Sequence, residues 1–239
     1  MITTVLFDMD GTLLPMDYDG FTRAYFGLLA KKAAPYGYEP KSLMDAVWAG
    51  TGAMVKNDGS EKNEPVFWRA FCGIFGEKAM RDKVIFDEFY REDFPKLREV
   101  CGYNPDAAAL VRDLNAAGIQ TVLATNPIFP AEAIECRIRW TGLQPEEFAL
   151  VTTYENSCHC KPNPDYYRDI LQQLSLRPEQ CVMVGNDAVE DVAAGKAGIE
   201  VFLLTDCLLH QEQADISALP QGGYPELRRW LQGKGISIG

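Results

Sequence analysis

No long apolar run occurs in this sequence. None approaches the ~20 consecutive residues that a membrane span requires. Yet 47% of the 239 residues are hydrophobic, enough to bury a sizeable core. Positive charge is also scarce. Against 34 Asp and Glu stand 23 Lys and Arg, a formal net charge of -11. Nucleic-acid binding rests on Lys and Arg neutralising phosphates, so no nucleic-acid partner is expected. The same deficit removes long-range attraction for an anionic substrate and leaves that task to a metal ion and local cations. The first residues show no basic stretch followed by a long apolar one, so neither a secretory signal nor a membrane partner is expected. Seven scattered cysteines, an odd number, read as reduced thiols of a cytoplasmic protein. Internal repeats and low-complexity segments are absent too.

What the sequence does have is Val5-Leu6-Phe7-Asp8-Met9-Asp10-Gly11-Thr12-Leu13-Leu14. Val5 to Phe7 reads as a short buried strand that stops at two carboxylates and a glycine. Such a strand delivers its charges to the end of a sheet, and in open parallel sheets ligands bind at the carboxyl ends of strands. Asp8 and Asp10 share a pleat face because alternate strand residues point the same way. Gly11 permits a sharp turn and a close ligand. Two carboxylates this near repel, so the site calls for a cation or a shared proton.

From Pro15 to Val100 the pattern is helical. Apolar spacing predicts helices over 21–34, 42–55, 66–75 and 78–94. The loop Lys56 to Asn63 between the second and third is polar and reads as either a solvated connection or a ligand-contacting loop. Strand and helix then alternate. Helices are predicted over 105–117, 130–141, 165–174, 188–197 and 224–231, and strands over 119–124, 148–152, 181–184 and 200–204. The glycine-rich tail is expected to fray. Alternation of this kind implies a parallel sheet with helices on both faces.

Polar groups sit at four strand ends: Asp8 and Asp10, then Thr125 and Asn126, then Lys161, then Asp187 and Asp191. The stretch Asp8-Met9-Asp10-Gly11-Thr12 resembles the first motif of the haloacid dehalogenase-like superfamily, and the later groups follow in that family's order. The resemblance covers Thr3 to Leu14 and Asn104 to Asp206; no family motif lies in the helical stretch. One departure is Gly185-Asn186-Asp187, where the family often reads Gly-Asp. Asp187 is taken as the counterpart because Asp191 follows four residues later, which on a helix puts both on one face. Asn186 and Glu190 then stand beside the metal shell.

The resemblance implies an α/β fold: a Rossmann-like, doubly wound parallel-sheet core (residues 1–15 and 100–239) with an inserted all-helical cap domain (16–99). It implies a magnesium-dependent phosphatase of a small phosphorylated metabolite. Asp8 would be the nucleophile that forms an aspartyl-phosphate. Asp10 would act as general acid, then base. Asp8, Asp187 and the Asp10 carbonyl would hold the ion, with Asp191 around them. Thr125 and Lys161 would grip the phosphoryl oxygens, and Gly11, Thr12 and Asn126 would contact substrate. The alternatives are a phosphomutase similar to beta-phosphoglucomutase and a catalytically idle binding module. A haloacid dehalogenase is disfavoured because an alkyl halide needs no acid at Asp10.

Two further features compete for attention. Cys158-His159-Cys160 suggests a soft metal, but its spacing is tighter than that of zinc sites and only His210 remains as another histidine. Trp48, Phe67, Trp68 and Phe71 are expected to be helical core rather than a substrate cage.

Overall fold

The apolar runs become strands in the computed structural model, which describes residues 1–239. They are β1 (Thr4–Phe7), β2 (Gln120–Leu123), β3 (Leu150–Val151), β4 (Cys181–Gly185) and β5 (Glu200–Leu204), joined by a two-residue β6 (Gln221–Gly222) that has no apolar signature. All pair in parallel, in the order β3-β2-β1-β4-β5-β6. β1 therefore lies between β2 and β4, at the point where the strand order reverses. Ligands bind at such switch points.

The strands show why two packed layers form. Val5, Phe7, Leu123, Val182, Val184, Phe202 and Leu204 enter the larger core, and Leu6, Val122, Met183, Val201 and Leu203 enter the smaller one. Alternate residues face opposite sides of a sheet, so runs that are apolar throughout bury both faces. This is the Rossmann-like α/β architecture.

Only helices lie between the first strand and the second. They are α1 (Tyr18–Ala33), α2 (Pro40–Val55), α3 (Asn63–Phe75), α4 (Lys78–Arg81) and α5 (Lys83–Glu92), followed by a 3-10 segment, Phe94–Val100, and then α6 (Pro105–Ala116). The single helix expected over 78–94 is broken. The chain turns at Asp82, whose carboxylate accepts hydrogen bonds from Tyr38 (3.0 Å) and Lys78. It leaves the α-helix again at Asp93, ahead of Pro95, whose ring has no N–H to continue the ladder. The two ends of this insert are tied together, since Met16 bridges Cys101 and Gly102 N–H donates to the Pro15 carbonyl at 2.8 Å.

The remaining helices are α7 (Ala131–Trp140), α8 (Pro164–Gln173) and α9 (Tyr224–Gly233). Two expectations fail here. Residues 188–197 are a turn followed by a 3-10 segment, Val192–Ala197, rather than one α-helix. The Asp187 carboxylate accepts the N–H groups of Val189 (2.8 Å) and Glu190 (2.9 Å), and such side-chain bonds compete with the helical ladder. The tail does not fray either. Ile236 and Ile238 are buried, and Gln232 holds the Ile238 carbonyl at 2.9 Å. No helix is long and apolar enough to cross a membrane.

Candidate active site

The site begins where β1 ends. Asp8 N–H still donates to the Val184 carbonyl (2.9 Å), and the chain then coils so that Gly11 N–H meets the Leu14 carbonyl at 2.7 Å. Gly11 adopts φ +83, and a Cβ there would lie 2.3 Å from the Asn186 amide. Only glycine fits this turn. From the far end of the chain, Tyr224 donates its hydroxyl to the Thr12 carbonyl at 2.9 Å.

Lys161 is 1% exposed. Its ammonium donates to Asp8 Oδ1 and Asp191 Oδ1, both at 2.7 Å. Burial opposes its charge, but the two carboxylates outweigh that and hold it well above its ordinary value. Burial also pushes Asp8 up to about 7, against the pull of Lys161 and with the push of Asp191 and Asp10. Asp191 Oδ2 accepts the N–H groups of Asn186 and Asp187, each at 2.9 Å. A single carboxylate thus fixes both Lys161 and the loop that carries Asp187.

Asn126 donates to both oxygens of Glu190 (3.1 and 3.0 Å) and accepts Lys161 N–H at 3.2 Å. Burial raises Glu190 to about 8. The Thr125 carbonyl accepts from Thr152 and Tyr166, both at 2.8 Å, while its own hydroxyl makes no bond within the protein. Asp8, Asp10, Thr125, Asn126, Asn186, Asp187, Glu190 and Asp191 all line one cavity. Gly11 and Thr12 do not. The Thr12 hydroxyl is spent on Asn186 at 2.9 Å, and these two residues shape the turn.

Three lining residues carry no motif signal. Tyr18 donates its hydroxyl to the Asp10 carbonyl, and burial together with Asp8 and Asp10 keeps that hydroxyl protonated. His210 Nδ1 lies 2.8 Å from Asp187 Oδ2. Arg137, 1% exposed, pairs with Asp10 Oδ2 and stacks 4.6 Å over Phe129. A charge on the stripe formed by Ala133, Ile134 and Ile138 was the available clue to Arg137, since a buried cation needs a buried partner. Asp10 Oδ1 remains buried without a partner.

Cys158-His159-Cys160 has other work. His159 Nδ1 lies 2.7 Å from Asp169 Oδ2, and a Cβ at Gly59 would lie 2.5 Å from its ring. Asn63 donates to Cys160 Sγ (3.3 Å) and to the Pro127 carbonyl (3.2 Å), while the first N–H groups of α3 reach Ser157 and Tyr154 at 2.9 Å each. The loop 56–63 is therefore neither a free connection nor a cavity wall: it docks the insert on the core. Of the aromatics expected as core, Trp68 and Phe71 are buried in the larger core and Phe67 packs against it. Trp48, Phe67, Trp68 and Phe71 all line the cavity, and Trp48 is 53% exposed.

The chain is similar to known proteins over most of its length. A curated ribulose-1,5-bisphosphate 5-phosphatase of Halopiger xanaduensis is 27% identical over 210 residues, covering 85% of this chain and 84% of that protein. A solved structure described as a predicted phosphoglycolate phosphatase from Haemophilus somnus superposes with TM-score 0.60 at 16% identity, over 97% of this chain and 98% of that one. A 2-haloacid dehalogenase from Pseudomonas syringae also reaches 0.60, at 21% identity, over 96% and 100%. The fold alone thus does not separate phosphatase from dehalogenase, whereas the curated relatives do. The haloacid dehalogenase-like hydrolase model matches residues 2–198, so the chain belongs to that family and stands with its phosphatases.

Proposed function

We propose that the protein is a magnesium-dependent phosphatase that hydrolyses a small phosphorylated metabolite through an aspartyl-phosphate on Asp8. One observation carries this reading. Asp8, at the end of β1, has one oxygen held by the buried Lys161 ammonium at 2.7 Å, while its other oxygen accepts no hydrogen bond and faces the cavity. That free Oδ2 is our nucleophile. It bonds to phosphorus as the ester P–O bond breaks, and Asp10 gives its proton to the departing alkoxide. Water then bonds to the same phosphorus and Asp10 takes its proton. The bond to Asp8 breaks, releasing phosphate and restoring the carboxylate. Asp10 Oδ1, the atom without a partner, is placed to carry the proton, and Arg137 orients it from the other oxygen. The Thr125 hydroxyl and Lys161 hold phosphoryl oxygens in this scheme. Phosphoryl transfer depends mostly on such positioning and electrostatics.

The site fits a hard cation. Five carboxylates (Asp8, Asp10, Asp187, Glu190 and Asp191) line the cavity, with Arg137 as the one lining arginine. Burial raises Asp8 and Glu190, and the neighbouring carboxylates add to that shift. No three His, Cys, Asp or Glu side chains converge as a ready cluster. What is offered is two carboxylates, Asp8 and Asp187, plus the Asp10 carbonyl, an all-oxygen set of the kind magnesium takes with retained waters. Bound there, magnesium would supply the charge that offsets repulsion between carboxylate and phosphate.

We assign residues 16–99 as a cap over the core formed by 1–15 and 100–239, and place the protein in the cytoplasm on its seven unpaired cysteines. The test is phosphate release from a panel of phosphate esters, with magnesium and with chelator. Release that needs magnesium is expected. Full activity in chelator removes the metal from the scheme, and isomerisation without release makes the protein a mutase.

A further inference from the structure

The cavity of about 330 Å³ extends upward from Asp8 into the helical insert. Its size lies at the low end for small-molecule sites. Every insert residue that lines it is uncharged. The wall is aromatic and aliphatic: Phe21, Phe26, Leu29, Val47, Phe67 and Phe71 are representative. The one lining arginine, Arg137, is committed to Asp10 and sealed under Phe129. Lys83, the cation nearest Trp68, sits over that ring at 5.7 Å, engages Glu64 and Asp87, and does not line the cavity.

A second anion on the substrate would therefore be desolvated here with no free Lys or Arg to meet it, which costs far more than burying an apolar group. The one lining histidine, His210, is held against Asp187. An aromatic ring, by contrast, would exchange water for edge and face contacts with the wall. Polar hooks do exist, and they are neutral. The Trp68 indole N–H, on a side chain 7% exposed, makes no hydrogen bond of ordinary geometry although the Tyr154 hydroxyl lies beside it. The Tyr25 and Tyr90 hydroxyls share one bond at 2.9 Å and leave one hydrogen free. Burial keeps both phenols protonated, with Tyr25 pushed up to about 12.

Resting on the phosphatase reading above, we infer that this site selects phosphate monoesters of aromatic or apolar alcohols and rejects esters that carry a second anion. The leaving group would lie among Phe67, Phe71 and Trp48, with one neutral acceptor in reach of Trp68.

The test compares esters of equal intrinsic reactivity, so that preference reports binding. The full-length protein with magnesium is assayed on 2-phenylethyl phosphate, glycerol 3-phosphate and phosphoglycolate, all of which release aliphatic alkoxides. We expect kcat/KM for the phenylethyl ester to exceed that for phosphoglycolate by ~10–100-fold, the worth of burying one aromatic side chain. Thr51→Arg, which puts a cation on the wall at a partly exposed α2 position, should narrow or invert that ratio. Trp48→Ala, at a half-exposed site that tolerates truncation, should narrow it several-fold. A parallel calorimetric arm compares binding of 2-phenylethylphosphonate with 3-phosphonopropionate and expects the same order. Equal or tighter binding of 3-phosphonopropionate overturns the inference, whatever turnover shows. Faster hydrolysis of phosphoglycolate also overturns it and leaves the phosphatase reading standing. No phosphate from any ester, with the binding order as expected, sinks the phosphatase reading alone.

Discussion

The floor and the roof of one cavity obey opposite rules. The floor, at the carboxyl ends of β1 and β4, crowds Asp8, Asp10, Asp187, Glu190 and Asp191 around Lys161 and Arg137. The roof, on α1, α2, α3 and α5, brings Phe21, Tyr25, Trp48, Phe67, Phe71, Phe86 and Tyr90 and no charge at all. Polar groups on the floor are fixed by ladders, turns and short hydrogen bonds, whereas the roof is fixed by ring packing such as Phe67 on Phe71 at 5.7 Å and Tyr38 on Phe86 at 5.5 Å. Reaction chemistry needs fixed charges at fixed distances. Selection among small molecules needs only shape and solvation, which helices can vary without disturbing the sheet. The polar seam between the two regions is where Asn63 and the start of α3 bind core carbonyls.

The largest effect should come from the floor. Asp8→Asn keeps the shape but loses the nucleophile, and we expect turnover to fall on the order of 10⁴-fold or more with the roof intact. Near-normal phosphate release by the folded variant would break the comparison at its centre. Asp10→Asn should cost ~10²–10⁴-fold on an alkyl phosphate and visibly less on nitrophenyl phosphate, which leaves without a proton. An equal loss on both esters would reduce Asp10 to an electrostatic or structural part.

The seam comes next. Asn63→Ala removes bonds to Pro127 and Cys160 and leaves the Asn57 amide short of an acceptor. Destabilisation of about 1–3 kcal/mol is expected in urea unfolding, together with a raised KM and little change in kcat. An unchanged denaturation midpoint would mean that the roof docks by other contacts. The smallest effect concerns Tyr18, where roof and floor touch. Its hydroxyl occupies the Asp10 carbonyl that we assign to magnesium. Tyr18→Phe frees that carbonyl, so magnesium affinity, read by titration calorimetry, should tighten a few-fold. Weaker binding would show instead that the hydroxyl helps hold the ion.

How much of this was legible in the sequence differs by region. Val5 to Phe7, Val182 to Val184 and Val201 to Leu204 announce buried strands because both faces of a parallel sheet are covered. Asp8, Asp10 and Asp187 stand out because each sits where such a run stops, whereas Lys161 follows β3 by a loop. The turn at 188–191 was misread because an i, i+4 acidic pair looks helical until one sees both carboxylates bonded to main-chain N–H groups. Arg137 and His210 stayed hidden. Their partners, Asp10 and Asp187, are 127 and 23 residues away in sequence. The bonds of Gly11 to Leu14 and of Thr12 to Asn186 were equally invisible in the sequence, because they depend on how the turn coils.

The sequence by itself determined the α/β class, the order of the strand ends and the acidic character of the site. Each of these depends on local period and on where apolar runs terminate. Only the tertiary structure decided that the insert's core aromatics also line a cavity. The same was true of the docking of Asn63 against Cys160 and of the buried pairing of Arg137 with Asp10. The physical reason is that helical periodicity says which face of a helix is apolar but not what that face meets. A stripe of Trp and Phe is the same pattern whether it closes on another helix or on a substrate.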